Sequence, residues 1–320
     1  MGRNQPPGPA PLPAVQRLAV RYAKRGRMRF ASHRDIARAV ERGVRRAGLP
    51  VAHSAGFSPH PKISYSGGAP TGAASEAEYL EISLTEGLDP ASVRVQLDAA
   101  LPDGIDVIEV YDLAAAPAPQ LEASEWQVVL PGVAPVAAAS AVEAFLAAAH
   151  AEVDRLTSNG VRRLDARAGV VSLALDQRAA ADGAQECVIL RMVVRHLTPA
   201  VRPEDILVAL RRMSALEPSS PAVVTRLAQG PLGSDAVASP ARGTTMAEAP
   251  RPGRRDAAQG QVLATCLDAG GAGTASTAPQ SAYEQLPRGA DGPGAARCAR
   301  EPDGRDRPNA RDRATEQRAS

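Results

Sequence analysis

The side chains with the widest chemical range in this 320-residue chain gather between Arg27 and Lys62. Three of its five histidines, His33, His53 and His60, fall there. From Arg21 to Lys62 eleven Lys and Arg residues face two acids, Asp35 and Glu41. Such local density on a chain of formal net charge +2 is the footprint of a surface that meets phosphate or another polyanion. A histidine at a helix start (His33) and another in a proline-stiffened loop (His60) would, on converging with Glu78, make a general acid–base or metal site. Hydrogen-bonded structural histidines or phosphate contacts explain them as readily. Ser32, His33 and Asp35 invite a triad reading. A relay needs base and orienter to meet end to end, which neighbours in one helical turn do not do, and a helix cap explains Ser32 and Asp35 more simply. Phe57, in Gly56-Phe57-Ser58, can stack on a base or anchor its loop in the core.

These residues must be positioned by a helix and a loop. Ser32 to Asp35 fits a capping box, with Ser32 as N-cap. At 100° per residue Ile36, Val40, Val44 and Ala47 share one face. Arg34, Arg38, Arg42, Arg45 and Arg46 gather on the other, where like charges four apart cost about 0.2–0.5 kcal/mol per pair. Gly48 closes the helix and Pro50 prevents its return. The loop from Val51 to Lys62 is stiffened by Pro59 and Pro61.

The flanking pattern is of strands and a second helix. Leu18, Val20 and Tyr22 alternate with Arg17, Ala19 and Arg21, and the alternation resumes with Met28 and Phe30. Ile63–Ser66 and Ala77–Leu84 read as strands. Asp89-Pro90 opens a helix carrying Val93, Leu97 and Leu101, and Ile105–Leu113 is a further strand. The order β-α-β-β-α-β is that of ferredoxin-like domains. After a linker at 114–123 the pattern repeats: strand Trp126–Leu130, Ala-rich helix Ala138–Leu156, a strand ending at Val170–Leu175, strand Cys187–His196, helix Pro203–Met213 and strand Ala222–Ala228. Asn159-Gly160 and Asp182-Gly183 mark its turns. The expectation is an α+β protein of two tandem ferredoxin-like units, residues 15–113 and 124–230. A Pro-rich, disordered N-terminus (1–14) precedes them and a disordered low-complexity tail (231–320) follows.

Composition narrows the class. No apolar run approaches the roughly 20 residues that span a bilayer, and Met1–Ala14 has no signal-peptide stretch. Cys187, Cys266 and Cys298 are too scattered for a disulfide framework or zinc spacing. The protein is expected to be cytoplasmic, with no membrane partner. Gly67-Gly68-Ala69-Pro70-Thr71-Gly72 lacks the Gly-Lys-Ser/Thr of a P-loop and reads as a turn.

Several stretches match one family closely: Arg21-Tyr22-Ala23-Lys24 with Gly26, Arg29-Phe30-Ala31-Ser32-His33-Arg34-Asp35, Arg45 to Pro50, Ser54 to Ser64, and Ser75 to Tyr79. Here the chain resembles a bacterial family of unknown function that accompanies radical-SAM proteins. In some bacteria that domain stands alone, and in others it is fused behind a B12-binding radical-SAM region. The match covers about Val15–Leu113, with weaker similarity at Val223–Gly230. The resemblance implies a radical-SAM partner. This chain lacks CxxxCxxC, the ligand set of a cluster that would cleave S-adenosylmethionine, so no cofactor is expected. The expected function is a non-catalytic module that binds RNA or presents an RNA substrate. In it Arg34, Arg38, Arg42, Arg45, Arg46 and Lys62 hold phosphates while His33, Phe57 and His60 orient the ligand. The alternatives are an RNA-processing or RNA-modifying enzyme using His33, His60 and Glu78, and a scaffold for an acidic protein.

Overall fold

The alternating residues Gln16–Lys24 form strand β1, on which the first half assembles. The computed structural model describes residues 10–158, 160–176, 187–214, 216–233 and 236–237. β1 pairs antiparallel with β3 (Ala74–Leu84) on one side and with β4 (Ile105–Asp112) on the other. A short strand β2 (Ile63–Ser66) pairs antiparallel with the far half of β3. The first-half order is therefore β4-β1-β3-β2. Helices α1 (His33–Arg46) and α2 (Pro90–Ala100) cover this half. Their stripes Ile36, Val40, Val44 and Val93, Leu97 enter one core with Leu18, Val20, Leu80, Ile82 and Ile105. Gly43 lets them close together: a Cβ there would lie 2.7 Å from Leu101 Cδ2.

The second half repeats the order with an insertion. Strand β5 (Ala123–Pro131) lies between β9 (Cys187–Arg195) and β10 (Val223–Gly230), and β8 (Val170–Leu175) borders β9. Helices α3 (Pro135–Ala147) and α4 (Pro203–Ser214) pack on a second core around Phe145, Leu190, Met192, Ile206 and Leu210. A parallel pairing of β10 with β3, Thr225 with Ala74 and Arg226 with Ser75, makes the two halves one eight-stranded mixed sheet. The protein is α+β, with four helices among the described residues. None is long and apolar enough to cross a membrane.

Four local expectations are corrected. Met28 and Phe30 do not continue a strand: Gly26–Phe30 is a 3-10 turn, begun by Gly26 at φ 51° and closed by Met28 N–H donating to the Arg25 carbonyl at 2.9 Å. Four alternating residues are too few to specify a strand against that turn. The Ala-rich helix ends at Ala147 rather than Leu156. Glu152–Thr157 is strand β6, paired with β7 (Gly160–Asp165) in a hairpin. There Ala151 and Val153 are buried and Glu152 and Asp154 exposed, a period-2 pattern that tertiary pairing selects over helix propensity. The Ile105–Leu113 and Cys187–His196 strands hold to within a residue, but β3 starts at Ala74, and β5 begins inside the expected linker, at Ala123. Asn159, Asp182, Gly183, Cys266 and Cys298 lie outside the described residues. So does the expected tail, except for Pro231–Gly233 and Ala236–Val237. In that stretch Leu232 and Gly233 pair with Val237 and Ala236.

A tight turn joins α2 to β4. Gly104 has φ +86°, and a Cβ there would stand 2.7 Å from the Arg25 carbonyl oxygen. Gly104→Ala is expected to destabilise the protein by about 1–3 kcal/mol in urea unfolding. An unchanged midpoint would mean that this contact relaxes freely.

Candidate functional site

The capping box forms as the sequence predicts. Ser32 Oγ accepts from Asp35 N–H at 3.3 Å, and Asp35 Oδ2 accepts from Ser32 N–H at 3.3 Å and from Ser32 Oγ at 2.6 Å. These bonds hold the Asp35 carboxyl below its ordinary range, with Arg38 and Arg42 adding to the effect. Both residues are thus engaged in starting α1. The apolar face of α1 anchors it on the sheet, so Arg34, Arg38, Arg42, Arg45 and Arg46 are all exposed. The carboxylate contact on this face is weak: Arg38 lies 4.0 Å from Asp35. Arg45 donates to the Glu41 carbonyl at 3.3 Å, and Arg46 reaches the Ala100 carbonyl at 3.0 Å.

The loop after α1 is stapled at its base and open at its tip. Lys62 N–H donates to the Ala52 carbonyl at 2.7 Å, and Ser54 N–H to the His60 carbonyl at 2.8 Å. His53 bridges to Pro61. The side chains of His60 and Lys62 are exposed. Phe57 is 68% exposed, so it does not anchor the loop in the core. Phe30, which precedes the α1 cap, is 60% exposed beneath the Arg29 guanidinium, 4.5 Å from the ring centroid. The other described aromatics (Tyr22, Tyr65, Tyr79, Tyr111, Trp126 and Phe145) are buried or half-buried.

His33 and Glu78 meet at one recess, and His60 is not among its lining residues. His33 is exposed at the rim, its ring edge-on to Tyr65 with centroids 5.2 Å apart. Glu78 is buried behind it. The Glu78 carboxylate ion-pairs with Arg226 and accepts the Ala69 N–H at 3.2 Å on each oxygen. Among the described residues, no three His, Cys, Asp or Glu side chains are grouped to hold a metal ion.

What the sequence did not disclose is the buried polar seam behind this recess. Arg226 is only 2% exposed. It donates to Glu78, to Ser75 Oγ at 3.1 Å, to the Gly67 carbonyl at 2.6 Å and to Gln229 Oε1 at 3.1 Å. Its guanidinium also covers the Trp126 ring at 5.4 Å. Gly67 is required here, because it has φ +60° and a Cβ would stand 2.5 Å from Gln229 Oε1. Lys24, 3% exposed, donates to the Ala69 and Pro70 carbonyls at 3.2 and 3.1 Å. The sequence signal that could have found this seam is a charged residue at an apolar strand position. Both Lys24 and Arg226 fit that description.

Beside the seam, His196 Nδ1 lies 2.8 Å from the Leu121 carbonyl and Nε2 lies 2.7 Å from Ser124 Oγ. The neutral ring satisfies both, with Nδ1–H donating and Nε2 accepting from the hydroxyl. Ser124 is buried on the central strand β5, out of a substrate's reach. Desolvation pushes the His196 imidazole below its ordinary 6.5, the Leu121 carbonyl opposes that, and Arg226 reinforces it.

A profile of the bacterial family described as "Uncharacterized protein conserved in bacteria (DUF2344)" matches residues 17–203, more than half of the chain. No curated protein matches. A crystal structure of an unknown protein from Galdieria sulphuraria aligns with 66% of this chain and 96% of its own. Its identity is 13% and the TM-score is 0.19, too low to carry an argument about fold.

Two predictions follow from the seam. Removing one partner of a buried ion pair costs about 3–5 kcal/mol, because the other charge stays buried. Arg226→Met and Glu78→Leu should each lose about that much in urea unfolding, and the double variant should lose much less than their sum. Additive losses would show that the two side chains do not depend on each other. For His196 the folded-state value lies below the unfolded 6.5. The unfolded chain therefore takes up the proton first as pH falls. Stability is full above about pH 6.5 and declines as pH drops through the folded value. His196→Gln should flatten the dependence of the thermal midpoint between about pH 7 and pH 5; an unchanged profile would assign it to other groups.

Proposed function

The chain belongs to this uncharacterised bacterial family, and from that premise we propose that it is a non-catalytic, cytoplasmic module. It binds RNA, or presents an RNA substrate, alongside a radical-SAM partner. The observation that carries this reading is the α1 face: five exposed arginines on a helix of 14 residues, with one carboxylate contact, at 4.0 Å, among the described residues. A face that served solvation alone would mix signs to relieve repulsion. Five guanidiniums on one rigid helix instead match a row of phosphates, with which each can form paired hydrogen bonds. Lys62 adds a sixth cation, and the exposed Phe57 offers a stacking ring on the neighbouring loop. The repeated strand order in the two halves supports reading them as tandem ferredoxin-like units, the first carrying this surface. The acid–base reading has weaker support. The Glu78 carboxylate is held by Arg226 and Ala69, and His60 stands apart from the recess that His33 borders.

The test is binding of single-stranded RNA as a function of salt. Each phosphate contact contributes about 0.7 to the slope of log affinity against log salt. Replacing Arg38 and Arg42 with Gln should lower both the affinity and the slope, by about 1.4 in the slope. Phe57→Ala should weaken binding by about 1–3 kcal/mol while leaving the slope unchanged. Salt-independent binding, or an Arg38/Arg42 variant identical to the parent, would sink the phosphate reading. Capture of an acidic protein that survives nuclease treatment, without RNA binding, would replace RNA with a protein partner.

A further inference from the structure

The recess in front of Glu78 holds a buried lysine that makes no salt bridge among the described residues. Lys24 projects from β1, and its ammonium contacts two neutral carbonyls, those of Ala69 and Pro70. An ammonium carries three donors, so one remains for a ligand. The charged side chains buried around the recess and seam are Lys24, Arg226 and Glu78. Arg226 and Glu78 neutralise each other, which leaves one positive charge from Lys24 under the surface. A buried charge is held cheaply only when it is paired. Burial drives the lysine below its ordinary range and Arg226 pushes it further down, against the opposing pull of Glu78.

A second group points the same way. Tyr65 lines the recess, and its hydroxyl is buried without a hydrogen-bond partner among the described residues. Buried polar atoms almost always find a partner, in the protein or in ordered water, and a ligand oxygen can take that water's place. Tyr22 and Glu78 are buried lining residues, while His33 and Ser66 are exposed ones and open it to solvent. The volume is about 30 Å³, against roughly 10–15 Å³ for one water-sized position. That admits one or two ligand oxygens and excludes a nucleobase.

We infer that this recess is an oxyanion site in which Lys24 and Tyr65 bind a phosphate-type group, with His33 at the entrance. The group is either a terminal phosphate of a bound polynucleotide or a free small phosphate. The site does not depend on the arginine face, and the two can fail separately.

The experiment titrates the full chain with inorganic phosphate, followed by ³¹P NMR and by the thermal midpoint. Two variants keep the answer clear of folding defects. Tyr65→Phe removes a hydroxyl that makes no hydrogen bond among the described residues, so it leaves no partner unsatisfied; Lys24→Met also frees the Ala69 and Pro70 carbonyls, so its thermal midpoint without phosphate is measured first. The parent should bind phosphate saturably and be stabilised by it. Lys24→Met should lose about tenfold or more in phosphate affinity, and Tyr65→Phe a smaller amount. The Arg38→Gln/Arg42→Gln variant should respond to phosphate as the parent does, whatever happens to its RNA binding. Comparing oligonucleotides with a 5′-phosphate, a 3′-phosphate or hydroxyl ends then identifies the source. Tighter binding of one phosphorylated end assigns a polynucleotide terminus, and equal binding of all three assigns a free phosphate. No saturable response in the parent, or equal responses in the parent, Lys24→Met and Tyr65→Phe, overturns the site.

Discussion

The ion pair between Arg226 and Glu78 joins residues 148 positions apart in the chain, and the shape of the seam follows from it. Arg226 reaches Glu78 because β10 runs parallel to β3 over Thr225 and Arg226. That pairing is brief, so side chains must fix its register. The fork of five guanidinium donors suits this role. It addresses a carboxylate on the first half, a hydroxyl and a carbonyl near it, and an amide on its own strand, and its face lies against Trp126. An apolar pair of similar volume would often give equal or greater stability. An ion pair sets a register more sharply, because a slip by one residue would turn the guanidinium away from its acceptors.

The seam also governs what lies in front of it. With Glu78 committed to Arg226, the neighbouring Lys24 is left to neutral carbonyls, and the recess that His33 borders keeps an excess of positive charge. On the outer side of α1 the excess is larger and exposed. The same helix therefore has three environments. Its inner stripe packs on the sheet, its first residue borders the recess, and its outer row of arginines meets solvent. Charge is concentrated here on a chain whose overall balance is only +2, so this region's field is local and specific rather than a general basic coat.

With aromatics at 3% of the chain, the two cores are built mainly from Ala, Val, Leu and Ile, with Trp126, Phe145 and Met192 in the second. Small side chains let elements approach closely, as Gly43 does toward Leu101 and Gly169 toward Val201. Against that economy the exposure of Phe30 and Phe57 stands out, since burying either ring would add more apolar contact than most residues in these cores. Both flank α1 in the sequence.

The sequence by itself determined whatever depends on neighbours within a turn or along one strand. Ser32 and Asp35 cap α1, Ile36, Val40 and Val44 face inward, the arginines face outward, and Asp89 with Pro90 starts α2. In each case the deciding hydrogen bonds or periodicities span three to four residues. Where two local patterns competed, the sequence could not choose. Residues 148–157 continue the alanine-rich stretch of a helix tail, yet 152–157 pair with 160–165 as a hairpin, because Val153 and Leu164 can then share the second core. Tertiary structure alone decided the site behind the helix. Glu78, Lys24 and Arg226 could each be noticed as charged residues at apolar strand positions, but their meeting could not, nor could the isolation of the Tyr65 hydroxyl. Those contacts exist only once β10 has closed beside β3. No local preference over a few residues encodes a meeting between positions 148 apart, because such a contact depends on the path of all the chain between them.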